Sequence, residues 1–129
     1  MKYLLDTHAL LWWFTDDPKL SEKARYIMLR EENSIFVSAA SAWEIATKHR
    51  IGKLDHVPDV TKRFSELVSA DGFIHLPITF VHSLRAGSYA VQHRDPFDRM
   101  LAAQSELEGL PLVTLDPAFS TFNCNTVWY

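Results

Sequence analysis

Two aspartates close apolar runs that lie at opposite ends of the chain: Asp6 ends KYLLD and Asp116 ends LVTLD. An acid in that place is ordinarily a turn residue or the N-cap of the next helix. If both runs are strands of one parallel sheet, however, the two carboxylates reach the same edge. Glu44 follows the run IFVS, which ends at Ser38, and Asp98 follows Asp95 in HRDPFDRMLAAQSELEG. Each has a local explanation. Ser41 to Glu44 fits an S-x-x-E capping box, and Glu44 and Lys48 stand at i,i+4 spacing. With Asp95 as N-cap, Asp98 falls at N3, where the helix dipole favours an acid by up to about 1 kcal/mol. Local and shared roles are compatible, because a helix that begins at a strand's carboxyl end aims its first turn over that edge.

Several carboxylates in one crevice repel each other and resist ionising. A hard divalent cation, Mg²⁺ or Mn²⁺, removes that repulsion by taking oxygen ligands, and it commonly keeps positions for water and a substrate phosphate. The chemistry this suits is phosphodiester hydrolysis, in which the cation activates a water and neutralises phosphate charge. Thr114, two residues before Asp116 on the same run, is expected to orient the Asp116 carboxylate from the same strand face. Thr7 and Ser38 are expected to support the acids beside them in the same way. The six histidines have no metal-ligand spacing, and a lone Cys124 makes neither a disulfide nor a thiolate zinc cage.

The elements that must position these residues follow from periodicity and punctuation. KYLLD reads as a strand and THALLWWF as a helix; DPKLSEKARYIMLREE is a second helix, and Ile35 to Ser38 a strand followed by a helix that Gly52 ends. After Pro58, DVTKRFSELVSADG reads as a helix, FIHLPI as a strand and TFVHSLRAGSY as a short helix. A longer helix then has Asp95 at N-cap, Pro96 at N1 and Gly109 past its end. PLVTLD is the next strand and TVWY a last short one. Strands alternating with helices predict an α/β fold: a central parallel sheet flanked by helices on both faces, with ligands at the carboxyl ends of the strands.

The 129 residues are the length of one domain, 1–129, able to bury roughly two thirds of the unfolded chain's surface. With 47% hydrophobic and 22% charged residues the chain is a globular protein, and a net charge of −3 excludes a general cationic field for nucleic acid. The apolar N-terminus is interrupted by Asp6 and His8 and lacks a cleavage site, so it is not read as a signal peptide. No run approaches the about 20 apolar residues that cross a bilayer. A cytoplasmic setting is expected.

Four segments, LLDTHALLWW, SAASAWEIATKHRIGKL, HRDPFDRMLAAQ and LVTLD, in that order and spanning nearly the whole chain, resemble the PIN-domain family, and more narrowly the VapC-type toxins of toxin-antitoxin pairs. The resemblance implies a single PIN-like domain and an acidic pocket that holds Mg²⁺ or Mn²⁺ and cuts RNA internally. Asp6, Glu44, Asp98 and Asp116 would be the catalytic acids, with Asp6, Asp98 and Asp116 as metal ligands and Glu44 binding the ion or positioning the water. A shift of one helical turn would exchange Asp95 for Asp98; the family pattern favours Asp98. It also implies a homodimer and a small antitoxin partner that blocks the pocket. RNA phosphates would meet a local basic rim of Arg94, Arg99 and Lys48, whereas Trp12, Trp13 and Trp43 are expected to pack rather than stack on bases. Two rivals remain: a catalytically silent PIN-like module that only binds RNA or a partner, and a phosphatase of the haloacid-dehalogenase type. The second needs an acid two residues after Asp6, where His8 stands.

Overall fold

The computed structural model describes residues 1–54 and 60–129. Five strands form one wholly parallel sheet: β1 (Lys2–Leu5), β2 (Ser34–Ser38), β3 (Ile74–Leu76), β4 (Leu112–Val113) and β5 (Thr126–Val127), in the spatial order β3-β2-β1-β4-β5. The predicted α/β architecture is therefore the observed one. β1 lies in the middle, with the strand that follows it in sequence on one side and β4 on the other. The sheet order thus reverses direction at β1, and in open parallel sheets the carboxyl ends at such a point are where ligands bind.

Alternation along the strands divides the core in two. Leu5 and Val113 face one side, where they pack with Leu10 of α1 (Thr7–Phe14), Ile27 of α2 (Glu22–Leu29) and Ile45 of α3 (Ala39–Arg50). Leu4 and Leu112 face the other, against Leu101 of α6 (Pro96–Glu108) and Phe119. Each of these leucines is nearly or fully buried, which contributes about 1.5–3 kcal/mol per side chain.

α1 and α6 begin where the sequence places caps, whereas α2 starts at Glu22, capped by the Ser21 hydroxyl, rather than near Pro18. Asp6 accepts the Ala9 amide at 2.7 Å, and Asp95 accepts those of Phe97 and Asp98, with Pro96 at the first helical position. Gly109 ends α6 at φ 65°, a left-handed conformation that a side chain would strain. In α5 (Phe80–Ser88), His82 takes the place usually held by Glu or Gln: its Nδ1 accepts the Thr79 amide while Thr79 Oγ1 accepts the His82 amide. The helix read from Asp59 onward is α4, Phe64–Ala70; the onset proposed at Asp59 lies outside the described residues. Among the described residues, no helix is long and apolar enough to cross a membrane.

Two local readings are corrected. The α3 N-cap is Ser38, whose hydroxyl accepts the Ala40 amide at 2.9 Å, so the helix starts at Ala39 and the box from Ser41 to Glu44 does not form. The fourth strand ends at Val113 rather than continuing to Asp116, since after the Thr114 amide bonds Val127 the chain turns into a 3₁₀ helix at Pro117–Thr121.

Candidate metal centre

Asp6 is the innermost acid, only 4% exposed, directly after the central strand. Its Oδ1 caps α1, and its Oδ2 accepts the Thr114 hydroxyl at 2.5 Å. Thr114 in turn accepts the backbone amide of Asp116 at 3.0 Å. One hydroxyl thus bridges the ends of β1 and β4 and draws the two aspartates to the same edge. This corrects the role expected for Thr114: it holds the Asp6 carboxylate and the Asp116 backbone, while the Asp116 carboxylate caps the 3₁₀ helix through Ala118.

Glu44, in the second turn of α3, is equally buried at 4%. The Lys48 ammonium lies 2.7 Å from its carboxylate. Asp98 is half-buried at the start of α6, with His93 Nε2 at 2.9 Å. Asp95 is exposed, and one of its oxygens is occupied in capping. Of the two acids that the sequence left exchangeable, Asp98 is the inward one. Thr7 and Ser41 share a hydroxyl bond at 3.0 Å beneath this edge, tying α1 to α3, and Ser38 serves as the buried cap of α3.

Glu44 is the acid felt by both Asp6 and Asp98, and Asp116 is felt by Asp6. Burial raises the Asp6 carboxyl from 3.8 to about 6; the Thr114 and Ala9 bonds oppose this, and the Glu44 and Asp116 carboxylates add to it. Burial likewise raises Asp98 from 3.8 to about 6, with His93 opposing and Asp95 and Glu44 adding. Among the described residues, Asp6 touches a hydroxyl and an amide but no cation, and no three His, Cys, Asp or Glu side chains converge into a ready-made ligand cage. Two of the acids are instead drawn to Lys48 and His93. The donor set is all carboxylate and hydroxyl oxygen, which fits a hard divalent cation such as Mg²⁺ or Mn²⁺ and not a thiolate-seeking one.

The basic rim is assembled differently from the sequence expectation. Arg99 does not face the crevice mouth: its guanidinium donates to five carbonyls, those of Ala86, Gly87, Tyr89, Val91 and His93. All five N–H donors of the group are thereby used, leaving none for phosphate. Arg99 organises the α5–α6 connection and so places His93 beside Asp98. Arg99→Lys is expected to lower unfolding stability by about 2–4 kcal/mol in urea titration, since one ammonium has three donors and no fork. Wild-type stability would show that the carbonyl cradle is not needed. Arg94 is exposed and Lys48 points inward to Glu44. Trp12 and Trp13 pack on the core as expected. Trp43 lies outside the core, 59% exposed and edge-on to Phe97 at 4.7 Å.

His93 is the site residue that local sequence signals mark least. Its signal was position alone, five residues before Asp98, and nothing local shows that the intervening turn folds back.

A PIN domain family model matches residues 3–123. No curated protein sequence matches the chain. Among solved structures, the chain is similar to VapBC2 from Rickettsia felis, bound to a DNA fragment from its promoter, at TM-score 0.72 and 14% identity with 100% of both chains covered. It is also similar to FitAcB from Neisseria gonorrhoeae, at TM-score 0.69 and 20% identity, covering 98% of this chain and 96% of that one. VapBC-1 from nontypeable Haemophilus influenzae matches at TM-score 0.66 and 17% identity, with 94% and 91% covered. At these identities the likeness is one of fold.

Proposed function

The chain belongs to the PIN-domain family, and from that premise we propose that it is a metal-dependent endoribonuclease, the toxin of a toxin-antitoxin pair acting in the cytoplasm. The observation that supports the reading is the set of acids around the end of β1: Asp6 has the Glu44 and Asp116 carboxylates as electrostatic neighbours, Glu44 also acts on Asp98, and burial foremost holds Asp6 and Asp98 at about 6. Such a cluster is poorly compensated by this chain alone and well compensated by a divalent cation.

In this reading Asp6, Asp98 and Asp116 bind Mg²⁺ or Mn²⁺, and Glu44 binds it or orients the attacking water. When bound, the ion supplies water activation and neutralisation of phosphate charge. Thr114 fixes the Asp6 carboxylate so that one oxygen is spent on α1 and the other on the hydroxyl, which limits its rotation. His93 holds Asp98 in the same manner from the α5–α6 side. RNA enters past exposed Arg94, the remaining cationic contact of the expected rim that faces solvent.

Partners fit the same reading. The outer face of α5 exposes Phe80 at 89% together with Val81 and Leu84, an apolar surface suited to a second copy of the chain. The solved relatives include toxin-antitoxin complexes, which supports a small antitoxin as the other partner.

Incubating the purified protein with defined RNAs in Mg²⁺ or Mn²⁺ is expected to give internal cleavage that EDTA stops and re-added metal restores. Cleavage that persists in chelator would refute the metal mechanism. RNA that is bound yet stays intact with metal present would favour the silent module.

A further inference from the structure

The Glu44–Lys48 pair has the spacing of an ordinary surface helix pair but not its surroundings. Glu44's side chain is 6% exposed and Lys48's 29%, so the ammonium is partly buried where it meets the buried carboxylate at 2.7 Å. Exposed i,i+4 pairs are nearly neutral in energy, whereas a buried carboxylate without a partner is strongly unfavourable. Among the described residues, Lys48 and His93 are the basic side chains that touch the four acids.

We infer that Lys48 is the resident counter-cation of the crevice: it neutralises Glu44 while no divalent ion is present, and it is displaced toward the incoming phosphate when one binds. The inference rests on the proposed metal site and adds a positioning residue to it. The argument is one of charge and reach. Four carboxylates at one edge need positive charge to stay folded inward, and the Lys48 ammonium supplies part of it to Glu44. A divalent ion at the same carboxylates repels an ammonium at close range and takes over its task. The lysine stem is long and flexible and its tip is partly open to solvent, so Lys48 reaches outward without moving α3. Its new position is where a phosphate held against the acids would need a counter-charge.

Two measurements test this apart from cleavage. In the wild-type protein, reductive methylation of Lys48 followed by mass spectrometry should speed up several-fold on adding Mn²⁺, relative to exposed Lys53, and slow again when a non-cleavable RNA analogue is added. In calorimetric titration, Lys48→Met should bind Mn²⁺ about tenfold more tightly than wild type, because a competing positive charge is gone, while Lys48→Arg stays near wild type. If wild type binds no Mn²⁺, the metal-centre reading fails. If wild type binds Mn²⁺ but the methylation rate of Lys48 does not change, the counter-cation inference alone is overturned, whether or not Lys48→Met folds.

Discussion

Asp6→Asn is expected to reduce RNA cleavage by at least about 10³-fold, the scale on which a metal site loses a central ligand and its developing-charge stabilisation. Its effect on the fold should run the other way. Asp6 sits almost wholly buried with two neighbouring carboxylates and, among the described residues, no cation against it, so in the metal-free protein its negative charge is a net cost at neutral pH. Asparagine keeps an oxygen to accept the Ala9 amide, and its amide group donates to Thr114, whose hydroxyl turns from donor to acceptor. The variant should therefore unfold at the same or a higher temperature than wild type in EDTA, and Mn²⁺ should no longer raise that temperature as it does in wild type. Cleavage assays and thermal unfolding with and without Mn²⁺ check both halves. Retained cleavage in a folded variant would remove Asp6 from the mechanism.

Metal-free protein should lose stability as pH rises from about 4 to about 6. Asp6 and Asp98 are each held at about 6 when folded against an ordinary value of 3.8. Between those values the folded state binds more protons than the unfolded chain, so raising the pH favours unfolding. The two groups together are worth on the order of 2–4 kcal/mol, taking 1.36 kcal/mol per unit and discounting for residual solvent at Asp98. Glu106 acts oppositely but lower in pH: Arg85, Tyr89 and Asn123 hold it down to about 2, so its contribution disappears only in stronger acid. Urea titrations in EDTA at pH 4.5 and 7.5 should show the higher stability at pH 4.5, and saturating Mn²⁺ should reverse the order by binding the ionised carboxylates of the folded state. Metal-free stability that climbs steadily from pH 4.5 to 7.5 would show that these carboxyls are not strained by their setting.

The fold was legible because its determinants are local. Apolar runs such as KYLLD and IFVS, the caps Asp6 and Asp95, Pro96 and Gly109 each specify a strand, a helix start or a stop from a few neighbouring residues, and alternation of strands with helices leaves few topologies besides a parallel sheet. Asp6 and Asp116 were legible for the same reason, since strand ends in such a sheet share an edge. Where local grammar misled, a longer-range contact competed with it. Ser41 and Glu44 fit a capping box, but Ser38 at the strand end caps α3, which sends Glu44 inward.

The sequence by itself determined the order of elements, the edge at which the acids gather and the helix starts that carry them. Only the tertiary structure decided which groups serve those acids: that Thr114 holds Asp6 across 108 residues, that His93 holds Asp98, that the Glu44–Lys48 pair legible from its i,i+4 spacing is buried, and that Arg99 is consumed by five carbonyls rather than facing RNA. The physical reason is range. Backbone propensities act over a turn or a strand, whereas the direction of a polar side chain depends on which partner burial leaves within hydrogen-bond distance, and that is fixed only once the sheet has brought remote segments together.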